Sequence, residues 1–182
     1  MLLRTITIAL VALIGPALAE NGHSPYVDMQ GRGIKALSSD ETRGLLGGEG
    51  MSLSLAAELN GYPGPRHVIE LADRLDLSPE QRQRAAALEA EMKSAAVSLG
   101  RTVLELEGEL DRAFLAGGVD RATIDRLTAE IAAKRGSLRA VHLQAHLAMA
   151  QALRPEQRTR YMVLRGYSGG AAGAPHQHRR HH

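Results

Sequence analysis

The chain has 182 residues, with 22 Lys and Arg against 20 Asp and Glu, a net charge of +2, and no cysteine. Disulfides, thiol catalysis and cysteine-based metal sites are thereby excluded, and the nearly balanced charge leaves no basic footprint for nucleic acid. Trp is absent and Phe114 is the only Phe, so a core must be built from Leu, Ala, Ile, Val and Met, which suits slender helix pairs better than a thick globule.

Residues 1–19 read as a secretory signal. Arg4 supplies the positive charge, Thr5 to Ile14 the apolar run, Gly15-Pro16 a break, and Ala17-Leu18-Ala19 an A-x-A cleavage site. That run is shorter than the roughly 20 apolar residues of a spanning helix. No later segment is long and apolar enough to span, so the expectation is an exported, periplasmic chain without a transmembrane segment after cleavage. Residues 20–37 contain Gly, Pro and Ser without a sustained period and read as a flexible lead-in to a helical domain over 38–167.

That domain opens at Ser38-Ser39-Asp40-Glu41, a capping-box pattern, which predicts a short helix to about Leu46. Gly47-Gly48-Glu49-Gly50 interrupts it. A second short helix is predicted over Met51–Leu59, closed by Asn60-Gly61-Tyr62-Pro63-Gly64-Pro65, and a third over Arg66–Leu75. Ser78-Pro79-Glu80-Gln81 then starts the main helix, with Ser78 as N-cap, Pro79 at the first helical position and Gln81 completing the box. Apolar residues recur in steps of three and four through Leu88, Met92, Ala96, Leu99, Val103, Leu106, Leu110 and Phe114. Gly117-Gly118 ends this helix at roughly 55 Å, and Asp120 can cap the next. Its stripe runs through Ile124, Leu127, Ile131, Leu138, Val141, Ala145, Ala148 and Ala152. A two-glycine connection between two long amphipathic helices makes an antiparallel hairpin. No stretch alternates with period two. The predicted class is all-α: a long helical hairpin with short N-terminal helices and a short C-terminal helix, its uncovered apolar stripe closed by dimerisation into a cradle. Residues 168–182, rich in Gly, Ala and His, are expected to form a disordered tail.

One motif occurs twice. Leu77-Ser78-Pro79-Glu80-Gln81-Arg82 begins the main helix, and Leu153-Arg154-Pro155-Glu156-Gln157-Arg158 begins the last one. Each is a helix start: an apolar anchor, proline at N1, acid near the positive dipole end, and a Gln able to satisfy an orphan N–H. Leu77, Ser78, Gln81, Leu153 and Gln157 are thus structural motif residues. Two such L-[ST]-x-x-Q motifs around a long hairpin, behind a signal peptide, resemble the Spy/CpxP family of periplasmic proteins. The likeness covers about residues 66–165, and Ala57 to Pro65 also looks like a feature of one branch. Arg154 departs from the usual Thr or Ser, which weakens the second cap. The resemblance implies a homodimeric, ATP-independent holdase that binds partly unfolded client proteins, with heavy-metal sensors and metal-responsive proteins among its relatives. No G-x-x-x-x-G-K-[ST] sequence is present, and with no recognisable nucleophile arrangement no enzyme is expected.

Metal binding is the alternative, through Zn, Ni or Cu, although the holdase reading requires no cofactor. His142 and His146 lie at i and i+4 on one helix face, a spacing that can place two imidazoles on one ion. Bordering the stripe near Leu138 and Met149, they suit two partly buried or interfacial histidines better than a metal pair. His67 is a third candidate. The tail carries His176, His178, His181 and His182, a type of tract that takes up Zn²⁺, Ni²⁺ or Cu²⁺. With four imidazoles but no fixed geometry, the tail is expected to dominate metal uptake without affecting folding.

Overall fold

A computed structural model describes residues 24–167. The signal sequence and the tail histidines His176, His178, His181 and His182 lie outside the described residues. The described chain up to Gly31 forms one unit and the chain from Arg32 another. The first contains a single 3₁₀ turn, Val27–Met29, closed by the Gln30 N–H on the Val27 carbonyl at 3.2 Å.

The second unit consists of helices α1 (Ser39–Gly47), α2 (Leu55–Glu58), α3 (Pro65–Glu70), α4 (Pro79–Ala116), α5 (Arg121–Ala152) and α6 (Pro155–Leu164). No strand occurs among the described residues, as the missing period-two pattern requires. The helix starts follow the expected chemistry. Ser38 Oγ accepts the Glu41 N–H at 3.1 Å while Glu41 accepts the Ser38 N–H at 2.9 Å. Ser78 and Gln81 repeat the exchange at α4, and Asp120 accepts the Thr123 N–H at 2.8 Å at α5. Arg154 has no side-chain acceptor, so at α6 only the Gln157 half of the box is formed, its side-chain oxygen accepting the Arg154 N–H at 2.9 Å.

The first short helix reaches Gly47 as expected, whereas the second and third are shorter than their apolar patterns suggest, and the reason is local backbone geometry. Met51 and Ser52 sit at φ 39° and 67°. This left-handed region cannot propagate a right-handed helix, so α2 keeps only Leu55–Glu58 of the predicted Met51–Leu59. Three Schellman closures then shape the turns. Glu49 N–H reaches back to the Gly44 carbonyl, Tyr62 N–H to Ala57 and Leu77 N–H to Ala72, at 2.9–3.1 Å. The left-handed residues at these closures are Gly48, Gly61 and, where glycine is usual, Asp76 at φ 51°. α3 has already ended at Glu70, short of the predicted Leu75, with Leu71 as its C-cap, and the last closure turns the chain that follows and delivers Leu77 to the core.

α4 and α5 run about 57 Å and 48 Å at 1.5 Å per residue and pack against each other, joined through Gly117 and Gly118, both at positive φ. Two apolar clusters hold the unit together. One gathers Val68, Leu75, Leu77, Ala85, Leu88, Met149, Leu153 and the fully buried Tyr161. The other gathers Leu37, Leu45, Ala96, Val103 and Leu138, with Ile34 against it, so part of the lead-in belongs to the core. α1 crosses α4 so closely that a side chain at Gly100 would overlap the Leu45 backbone. The expectation of a wide uncovered stripe needs correction. Of the eight α4 stripe positions Leu88, Ala96 and Val103 are buried, Met92, Leu99, Leu106 and Leu110 are half-buried and only Phe114 is exposed, because α5, α1 and the pre-α1 segment pack along this face.

Candidate functional site

The twin motifs meet. Ser78 caps α4 and Leu77 and Leu153 are buried anchors. Gln81 and Gln157, at the starts of α4 and α6, face each other as a reciprocal amide pair. Gln81 Nε2 donates to Gln157 Oε1 at 2.8 Å and Gln157 Nε2 donates to Gln81 Oε1 at 3.0 Å. Gln81 also donates to the Ala152 carbonyl, and Gln157 to the carbonyls of Leu75 and Asp76, both at 3.1 Å. The Ser78 and Arg154 N–H groups complete the set by donating to the two amide oxygens. These glutamines therefore cap their own helices and also tie three chain segments together, which one helix start considered alone does not reveal.

Along α4 and α5 the two apolar clusters leave a gap, and a cavity of about 330 Å³ occupies it. Glu89, Met92 and Lys93 of α4, His142 and His146 of α5, His67 of α3, and the Gly47–Gly50 loop line it. His142 and His146 are 2% and 7% exposed. His142 Nε2 and Glu89 Oε2 are both buried without a hydrogen-bond partner. Burial, and secondarily the neighbouring His146, hold His142 below the ordinary imidazole range, so its ring is neutral and offers a lone pair. His146 is oriented through its other nitrogen. Its Nδ1 lies 2.8 Å from the Tyr62 carbonyl. A carbonyl only accepts, so Nδ1 carries the proton and, in the neutral ring, Nε2 carries the lone pair. Gly64 lies flat against that ring; a Cβ there would stand 2.9 Å from Cε1 and Nε2.

His67 reaches the same cavity but its Nδ1 is engaged with Glu70 at 3.0 Å. The structure thus brings His67, His142 and His146 to one cavity, and the tail histidines lie outside what it describes. Among the described residues, no three His, Asp or Glu side chains converge closely enough to hold a metal ion as they stand. Glu89 and Met92 carry no spacing signature and read in sequence as the flank and interior of an apolar stripe.

Behind His146 sits a buried carboxylate. Glu58 is 6% exposed. Its Oε1 accepts Tyr161 Oη–H at 2.6 Å and Tyr167 Oη–H at 3.2 Å, with Arg165 Nε at 3.4 Å. Its Oε2 accepts the Gly64 N–H at 3.2 Å and stands 3.7 Å from His146 Nδ1. Burial and this bond raise the Tyr161 phenol well above its ordinary range. Arg158 closes the same loop from α6, donating to the Gly61 carbonyl and lying over the Tyr62 ring.

Residues 51–160 match the family model described as heavy-metal resistance. The chain belongs to this family. The assignment agrees with the Spy/CpxP-like motifs and covers every element from α2 to α5 and the start of α6. No curated protein and no solved structure matches the chain. No helix among the described residues is long and apolar enough to cross a membrane.

Proposed function

We propose that this is an exported heavy-metal-resistance protein whose helical body binds a divalent transition-metal cation in the cavity between α3, α4 and α5, and that it acts as a metal sensor or accessory rather than as an enzyme. One observation carries the reading: His142 Nε2 and Glu89 Oε2 line the same cavity, buried and without partners. An unsatisfied buried polar atom costs roughly 1–3 kcal/mol, and a cation supplies what both atoms lack. Imidazole nitrogen, carboxylate oxygen and thioether sulfur from His142, His146, Glu89 and Met92 make a mixed donor set suited to Zn²⁺, Ni²⁺ or Cu²⁺. The donors fit such an ion chemically but must draw together to hold it, so the ion would tighten the junction between α4 and α5. The neutral state of His142 removes proton competition near neutral pH.

Zn²⁺ titration by calorimetry tests this, in a chain whose His176, His178, His181 and His182 are alanine. One ion bound per chain, lost in His142→Ala and weakened in Glu89→Gln, is the expected result. Binding that vanishes with the tail histidines alone would overturn the reading.

A second reading, the holdase, draws on a different observation. Phe114 and Leu115 are 56% and 85% exposed at the hairpin end, and Leu46, Leu55 and Leu59 are exposed on the short helices. These side chains offer adaptable apolar contacts to partly unfolded clients. Suppression of client aggregation without ATP, reduced by Phe114→Ser with Leu115→Ser, is its test.

A further inference from the structure

We propose that Glu58 positions His146 for the cavity and couples cation binding there to α6 and the segment ending at Tyr167. The inference rests on the metal-binding reading and adds a route out of the site. His146 lines the cavity and also brings its Nδ1 to 3.7 Å from the Glu58 carboxylate. Its Nδ1–H is held by the Tyr62 carbonyl at 2.8 Å, with Glu58 Oε2 next nearest at 3.7 Å. A metal-bound imidazole is a stronger N–H donor, and a carboxylate or carbonyl behind it fixes its orientation and raises its affinity. Coordination at Nε2 therefore tightens the Nδ1–H bond to the Tyr62 carbonyl and adds positive charge 3.7 Å from Glu58 Oε2, which draws the carboxylate toward the ring.

Glu58 has no slack with which to answer that pull alone. Its Oε2 is already shared with the Gly64 N–H, and Gly64 also packs against the His146 ring. Its Oε1 holds Tyr161 and Tyr167. Movement of the carboxylate toward His146 lengthens the bonds on its other side. The Tyr161 hydroxyl is fully buried and has this carboxylate as its partner. The 60–64 loop cannot absorb the change independently, because Arg158 pins Gly61 and covers Tyr62. Occupancy of the cavity is thus read out as a weakened Glu58–tyrosine contact at the C-terminal end of the described chain.

The protein carries its own reporter. It has four tyrosines and no tryptophan, and a phenol bonded to a carboxylate emits weakly because its excited state passes the proton to the acceptor. The experiment adds Zn²⁺, which does not itself quench, to the full chain with the four tail histidines as alanine. Tyrosine emission and calorimetry are followed together. Emission is expected to rise in step with binding of one ion. Tyr161→Phe should bind Zn²⁺ as before but lose most of the rise. Glu58→Gln should abolish the rise and weaken binding by about 10–100-fold. If Glu58→Gln fails to fold by circular dichroism, Tyr161→Phe and Tyr167→Phe decide alone. Binding sensitive to His142→Ala without any emission change, or a rise undiminished in Tyr161→Phe, overturns the coupling and leaves the metal site intact. Absence of any binding to the helical body overturns both.

Discussion

Replacing Gln157 by Leu removes the amide that joins the turn between α3 and α4, α4 itself and α6 while nearly conserving volume. Gln157 is 3% exposed. Its Nε2 faces three acceptors with only two hydrogens, and its Oε1 takes two donors. Not every broken bond counts in full. Asp76 and Arg154 are exposed, so water can replace Gln157 at their backbone groups. Leu75 is 1% exposed, and its carbonyl loses a buried partner, as does one side of the Gln81 amide. At roughly 2 kcal/mol for each of the two buried losses, less about 1–2 kcal/mol for the added apolar burial, the net cost is about 2–3 kcal/mol. For a chain of this length that lowers Tm by about 4–12 °C. Gln157→Glu should cost more, because it keeps the acceptor but turns an oxygen toward the Leu75, Asp76 and Gln81 oxygens. Thermal melts by circular dichroism measure both. In a double-mutant cycle, Gln81→Leu should add less on top of Gln157→Leu than alone, with a coupling of about 1–2 kcal/mol. A melt of Gln157→Leu within about 2 °C of the parent, or strictly additive singles, would refute the paired-amide account.

Three further outcomes are expected. Gly100→Ala gains about 1 kcal/mol of helix propensity but drives a Cβ into the Leu45 backbone, its carbonyl carbon 2.8 Å away; a net loss of Tm in a scanning melt is expected, and a gain would mean that α1 lifts freely from α4. His142 has a lowered folded pKa, mainly through burial, against about 6.5 when unfolded. Between these values the unfolded chain binds a proton that the folded chain does not, so stability falls as pH drops through that window; His142→Gln should flatten the decline of Tm from about pH 7 to about pH 5, and an unchanged decline would contradict the burial. The α4 stripe is partly covered within one chain, and the most exposed large apolar side chain is Leu115, beside Phe114 at the hairpin end; if a dimer forms there, Phe114→Ser with Leu115→Ser should reduce its mass in light scattering, and an unaffected dimer would point away from the hairpin end.

Much of the architecture was legible because it is written in local chemistry. Ser38, Ser78 and Asp120 announce their helices as caps, Gly117-Gly118 announces the turn, and the three- and four-residue steps of α4 and α5 announce the hairpin. The short helices were less legible, since the turns around them depend on left-handed backbone at Met51, Ser52 and Asp76, residues with no special signature for it. Nothing in the α4 stripe shows that Leu37 and Leu45 will cover it, because that contact joins distant segments. The site follows the same division. His142 and His146 stand out by spacing, whereas Glu89 differs from any solvated helix carboxylate only in where α5 lies. Glu58 sits within the Ala57–Pro65 stretch singled out by resemblance, but its partners are as far as 109 residues away.

The distribution of those partners along the chain has a consequence for the order in which the fold can close during synthesis. Gln81 waits 76 residues for Gln157, and Glu58 waits 103 for Tyr161. A nascent chain that has emerged only through α5 can already form the hairpin from nearby contacts, yet its buried carboxylate and one of its two amides have no counterpart. Such interactions of long sequence separation close loops late, and bonds absent from the transition state act chiefly on the rate of unfolding. Residues 154–167 therefore behave as a latch set last: before they arrive the helices can still be drawn apart cheaply, and afterwards the assembled protein comes apart slowly.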